Sequence, residues 1–227
     1  MKKTLVLLLA LVLTLSFCAI LSSCDLINEN SSLEDDIPNG PENTPPTPAA
    51  PVYTVTREEW HNATALNFTR YQITTTGVEG ETTILTRCDD RVWCRTMYDD
   101  GRIEDTYYAK VDGKYYLYMA ESGIATRTEI TQEIYEKVLA NDVSILFDYD
   151  DFTYNEETKS YYAPTMNAAS TSWVTYTDAT IKFLNGKITY NAYTATTPSH
   201  GITLRSINNF TYDNIQPIEL PTDVIEY

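Results

Sequence analysis

Four cysteines, two histidines and a scatter of carboxylates are the residues of this 227-residue chain whose types could do chemistry. Neither histidine stands where a base would be needed. His61 follows Trp60 within a helical pattern and reads as a surface or packing residue, and His200, in Thr197-Pro198-Ser199-His200-Gly201, reads as a turn residue. The sequence holds no Gly-x-Ser-x-Gly elbow, phosphate-cradling glycine loop, dinucleotide fingerprint or His-Glu-x-x-His helix. Without a nucleophile beside a base, hydrolase chemistry has no support, and the chain reads as a non-enzyme. Asp148, Asp150, Asp151, Asn155, Glu156 and Glu157 crowd together, but they lack the glycine and the spaced bidentate glutamate of a calcium loop. A charged link between elements is the better reading, and neither metal nor cofactor is expected.

Cys24 has the most specific setting. Lys2 and Lys3 open the chain, Leu5 to Leu21 is almost wholly apolar, and Ser22 and Ser23 lead into the cysteine. These are the basic, apolar and small-residue regions of an export signal. Leu21-Ser22-Ser23-Cys24 resembles the lipobox of bacterial lipoproteins. The resemblance implies a thioether-linked diacylglycerol on Cys24, loss of residues 1–23, and residence on the extracytoplasmic face of the cell membrane. Two acyl chains hold firmly, because each buried methylene contributes ~0.8 kcal/mol. The competing reading is an uncleaved anchor, since the apolar run approaches the ~17–25 residues of a spanning helix.

Cleavage would also remove Lys2 and Lys3, taking the formal net charge from −16 to −18. Such acidity argues against nucleic acid and against docking on anionic headgroups. Cys18 would leave with the signal, so Cys88 and Cys94 would be the unmodified thiols. With a turn at Asp89-Asp90-Arg91 they sit diagonally across a hairpin, either bridged in an oxidising exterior or as two small half-buried residues. No second Cys pair or histidine cluster accompanies them to make a zinc site.

Residues 24–52 hold six of the ten prolines among Asn, Ser, Glu and Asp, and read as an extended spacer that cannot bury enough surface to order itself. Residues 53–227 read as a single domain. Thr56-Arg57-Glu58-Glu59 is a capping box flanked by Val55 and Trp60 at staple positions, which predicts a helix from Arg57 to about Leu66 with Trp60, Ala63 and Leu66 on its apolar face. A second helix is predicted from Gln132 to Ala140, with Thr131 as N-cap and Ile134, Tyr135, Val138 and Leu139 as its stripe. The 142–152 segment is ambiguous between more helix and a covering loop.

Elsewhere Thr, Tyr, Val and Ile dominate, with turns at Gly77 to Gly80, Asp99-Asp100-Gly101, Asp112-Gly113, Glu156 to Lys159 and Asn185-Gly186. Strands are expected through Trp173 to Phe183 and from Ile202 to Ile207. An Asn-Gly turn pairs Leu184 with Lys187, which puts Ile181, Phe183, Ile188 and Tyr190 on one face. The Asp112-Gly113 hairpin puts Tyr107, Val111, Tyr116 and Tyr118 on one face and Tyr108, Tyr115, Leu117 and Met119 on the other, neither clearly polar. Eighteen tyrosines either pack within strands with wetted hydroxyls or present rings for a ligand.

The chain resembles surface lipoproteins of Gram-positive anaerobes that open with a VT-x-EEW-x-x-A helix. Here that is Val55 to Trp60 with Ala63, followed by Asn67-Phe68-Thr69, then Asp112 to Tyr116, Asp150 to Tyr161, Ile181 to Ile188 and Ile218 to Pro221. That architecture is similar to the half-barrel of LolA/LppX-like envelope lipoproteins. The resemblance implies an α+β, mostly β fold: a strongly curved antiparallel sheet with two or three short helices packed on its concave face. It implies a monomeric, non-catalytic binding protein for a lipid or other hydrophobic ligand. Trp60, Trp93, Leu139, Trp173 and Phe183 are the candidate lining residues. The alternative is a cell-surface module that binds protein or glycan through an aromatic-rich sheet face.

Overall fold

The computed structural model describes residues 50–77, 80–141 and 143–226, apart from the side chain of Ile145. The signal and most of the spacer lie outside the described residues. Val52–Tyr227 is one compact unit.

Both predicted helices form, each for the local reason its sequence carries. Helix α1, Arg57–Thr64, starts at a complete capping box: the Glu59 amide donates to Thr56 Oγ1 at 3.2 Å, and the Thr56 amide donates to Glu59 Oε2 at 2.7 Å. It ends two residues before the expected position, because Leu66 enters the left-handed region at φ 49°. Trp60, Ala63 and Leu66 are all buried, as the stripe requires. Helix α2, Gln132–Ala140, is capped by Thr131 and closed by Asn141 in the left-handed conformation. Its stripe is only partly buried: Tyr135 is inside, whereas Ile134 is exposed. The ambiguous segment that follows resolves into two 3-10 turns, Ser144–Leu146 and Tyr149–Asp151.

Twelve strands form one open sheet. The first six are β1 Arg70–Thr76, β2 Thr82–Cys88, β3 Arg91–Met97, β4 Ile103–Val111, β5 Lys114–Glu121 and β6 Ile124–Ile130. The others are β7 Thr153–Asn155, β8 Ser160–Thr165, β9 Thr175–Leu184, β10 Lys187–Thr197, β11 Ile202–Thr211 and β12 Val224–Glu226. The order is β12-β6-β5-β4-β3-β2-β1-β11-β10-β9-β8-β7. All neighbours are antiparallel except β12, which runs parallel to β6. The sheet is therefore two meanders, β1–β6 and β7–β11, joined along the β1–β11 seam where Ile73 faces Phe210. The fold is α+β and mostly β.

Cross-strand register separates two faces. On the core face, Tyr71, Ile73, Tyr161, Ala163, Ala179, Ile181, Phe183, Ile188 and Phe210 pack with Trp60, Leu66, Phe147 and Phe152. Trp60 is the hub: its ring lies 5.0–5.4 Å from those of Tyr149, Phe152, Tyr161 and Phe183, and its Nε1 donates to the Phe147 carbonyl at 2.7 Å. Helix α2 serves the other half, with Tyr135 against Tyr115 at 4.9 Å.

Two expectations are corrected, for Tyr190 and Trp173, and the alternatives left open for the cysteines are decided. Tyr190 does not join Ile181 and Phe183: the ladder slips between Ile188 and Tyr190, so Tyr190 pairs with Lys182 and Asn191 takes the place opposite Ile181. A bulged residue switches every later side chain to the other face. Cys88 and Cys94 are both free. The two-residue turn pairs Cys88 with Arg91 and Leu85 with Cys94, which sends the thiols to opposite faces of the sheet. Burial pushes the Cys94 thiol up to about 11, with Asp105 adding to the shift. Trp173 precedes β9 rather than lying in it. Its loop is held by hydroxyls, since the Trp173 and Val174 amides donate to Thr171 Oγ1 and the Tyr176 amide to Ser170 Oγ.

Candidate functional site

After β11 the chain must travel from the middle of the sheet to the outer edge of β6, where β12 docks. It does so over the face opposite the core, as a strap of residues 213–223. Ile218 is its buried anchor, at 7% exposure, and the Arg91 guanidinium donates to the Ile218 carbonyl at 2.7 Å. Thr86, Cys88, Ala109, Tyr118 and Ala125, which register places on this strap face, are all buried.

The strap does not close down everywhere. Between it and the sheet lies an open groove of about 560 Å³. Gln72, Thr86, Trp93 and Tyr107 form its floor, and Asp213, Asn214, Gln216 and Glu219 are among the residues of its strap wall. That volume lies within the ~300–1,000 Å³ usual for small-ligand sites. Trp93 and Tyr107 are direct cross-strand partners, with ring centroids 6.4 Å apart and planes 24° from parallel.

Trp93 is held from several sides. Its Nε1 donates to Asp105 Oδ1 at 2.8 Å, and the same carboxylate takes a two-pronged pair from Arg95 at 2.8 and 2.9 Å. The Arg95 guanidinium lies 5.0 Å from the indole centroid, a cation–π contact. Burial alone would raise the Asp105 carboxyl, but the Arg95 and Trp93 hydrogen bonds outweigh it and hold the group below the ordinary carboxylate value. A carboxyl depressed in this way contributes stability above its unfolded-state pKa and loses it as pH falls through the folded one. Acidification below the ordinary aspartate range of about 4 should therefore loosen the strap-face end of Trp93. The expected result is an acid-induced shift of Trp93 emission in the native chain, absent in Asp105→Asn; identical titrations would refute it.

The sequence-based lining residues do not converge. Trp60 and Phe183 are 2% and 1% exposed and pack against each other inside the core, their rings tilted by 44°. Leu139 is half-buried on α2, Trp173 is 72% exposed in its loop, and Trp93 alone borders the groove. Cys24 lies outside the described residues. Tyr107 was named only as part of an aromatic hairpin face, and Gln72, Asp105, Asp213, Asn214, Gln216 and Glu219 were not singled out by sequence. Hairpin register could have aligned Tyr107 with Trp93, but nothing local announces the strap. The crowded acids are engaged structurally: Asp150 pairs with Arg57, Asp148 accepts from the Asp150 amide, and Asp151 accepts from Asn167 and the Ala168 amide.

No protein-family model matches the chain, and no curated protein matches it. Among the described residues, no helix is long and apolar enough to cross a membrane.

Proposed function

We propose that this is an extracytoplasmic, non-catalytic binding protein, monomeric and held at the membrane by a lipid on Cys24, whose ligand site is the strap groove. Residues 24–52 act as its spacer. The observation that carries the reading is the fixed Trp93–Tyr107 pair, set in an open concavity and rimmed by polar side chains. A filled core, with the Trp60 indole surrounded by four rings, favours this interaction-module reading over an internal lipid cavity.

A second reading keeps the hydrophobic ligand and puts it on the core face of a half-barrel. Slips at Ile188/Tyr190 and Ala192/Thr194 support such curvature, because bulges bend strands. One cross-strand row favours it: Phe210, Ile73, Leu85, Cys94, Thr106, Met119, Thr126 and Ile225 are successive partners on that face. The row starts in the core and ends with Met119 at 50% and Ile225 at 54% exposure.

The two readings separate by titrating the mature chain with aqueous and lipid extracts of bacterial envelopes and following binding by calorimetry, which does not use Trp93 as its reporter. A response lost in Trp93→Ala but kept in Met119→Glu supports the groove; the converse puts the ligand on the core face. Cys24→Ala should leave the protein unprocessed or in the soluble fraction, and unchanged membrane retention would refute the anchor.

A further inference from the structure

We infer that the strap groove takes a neutral saccharide, with one pyranose ring laid against the Trp93–Tyr107 platform. The inference rests on the groove being the ligand site and names the class of ligand that its chemistry suits.

The platform supplies the apolar half of the recognition. A pyranose presents a face of C–H bonds, and two neighbouring aromatic rings, with centroids 6.4 Å apart and planes 24° from parallel, offer apolar ring surface for it. The indole is fixed before any ligand arrives, by Asp105 at its nitrogen and Arg95 over one of its faces, so little ordering remains to be done on binding.

The rim supplies the polar half. Hydroxyls around a sugar need acceptors and amides at several points, and Gln72, Asp213, Asn214, Gln216 and Glu219 line the same groove. Gln72 uses Nε2 on Thr86 Oγ1 at 3.0 Å, which leaves its Oε1 as an acceptor. Gln216 uses Nε2 on the Asn214 carbonyl at 3.1 Å. Among the described residues, Asp213 and Glu219 make neither an ion pair nor a hydrogen bond. Both are exposed and available as paired-hydroxyl acceptors.

The same features disfavour other ligands. Two arginines stand near the platform, but Arg91 is engaged by the Ile218 carbonyl and Arg95 by Asp105. An anionic sugar would meet the unpaired carboxylates of Asp213 and Glu219, and the nearest cation to the platform, Arg95, is already paired with Asp105. An added peptide strand needs an open sheet edge, whereas this groove lies over β1–β4, in the sheet interior. An acyl chain would leave the rim's amides and carboxylates desolvated without partners.

The test is a titration of the full mature chain, in detergent micelles, with β-1,4-linked oligomers of glucose, xylose and N-acetylglucosamine and with a uronic-acid oligomer of equal length. Binding is read by tryptophan emission and by calorimetry. At least one neutral oligomer should bind, and Trp93→Ala should weaken it by about tenfold or more, the usual loss when a central aromatic anchor is truncated. Trp93→Phe, which keeps a ring and the fold, should retain part of the affinity. Asp213→Asn with Glu219→Gln should weaken neutral binding and relax the exclusion of the uronate. Tight uronate binding to the native chain, neutral binding unaffected by Trp93→Ala, or no neutral oligomer bound would each overturn the saccharide. If no oligomer binds while the response to envelope extract is still lost in Trp93→Ala, the saccharide fails and the groove stands. If that response also survives Trp93→Ala, the groove itself is wrong.

Discussion

Trp60→Ala should destabilise the domain by about 3–5 kcal/mol, the range for emptying a buried large aromatic site. The side chain is 2% exposed and touches four rings drawn from β8, β9 and the 149–152 segment, so its removal leaves a hole bordered by several elements. Those neighbours sit on a paired sheet and cannot easily collapse inward. The loss is a large share of the ~5–15 kcal/mol that holds a typical domain folded. Trp60→Phe separates packing from hydrogen bonding: it keeps a ring but strips the Phe147 carbonyl of its partner, at a cost of about 1–3 kcal/mol. Urea denaturation of the three proteins checks both, and an alanine variant within 1 kcal/mol of native, a threshold near the ~1 kcal/mol centre for single substitutions, would show that the core re-forms without the indole.

Ile218→Ala should cost about 2–5 kcal/mol by the same cavity argument, but the damage should be local before it is global. Ile218 is the buried residue of the strap, and β12 is held to β6 by three residue pairs. Once the anchor is shortened, amides of Val224–Glu226 should exchange faster while those of β9 and β10 keep their protection. Uniform protection across both regions would mean that the strap is secured elsewhere, most simply by Arg91.

Much of the architecture could be read from short-range signals. A capping box placed α1, an Asn cap ended α2, and dipeptide turns set the Asp112-Gly113 hairpin so well that all eight of its assigned facings hold. What escaped has no local mark. The slip after Ile188 is one extra residue in an otherwise regular alternation, and it moved Tyr190 across the sheet. The β1–β11 seam joins segments from the two ends of the domain and follows no turn. The strap, Asp213 to Asp223, has neither alternation nor helical period, and β12 is three residues long. The groove needs register, seam and strap together, so sequence could offer Trp93 as a candidate but not its neighbours. Trp60 and Phe183 looked equally suitable as lining residues because a core aromatic and a binding aromatic are the same residue type.

The seam also sets a timetable. A chain delivered from its N-terminus completes β1–β6 while the strand that will cover β1 has not yet emerged, so one long row of backbone amides and carbonyls stands unpaired until Ile202–Thr211 arrives. Such an edge invites pairing with another copy. Its composition answers the hazard: of the seven residues of β1, only Tyr71 and Ile73 are large and apolar, and Arg70, Gln72, Thr74 and Thr76 turn polar side chains to the opposite side. The strand that waits longest for its partner is thus among the least adhesive in the sheet.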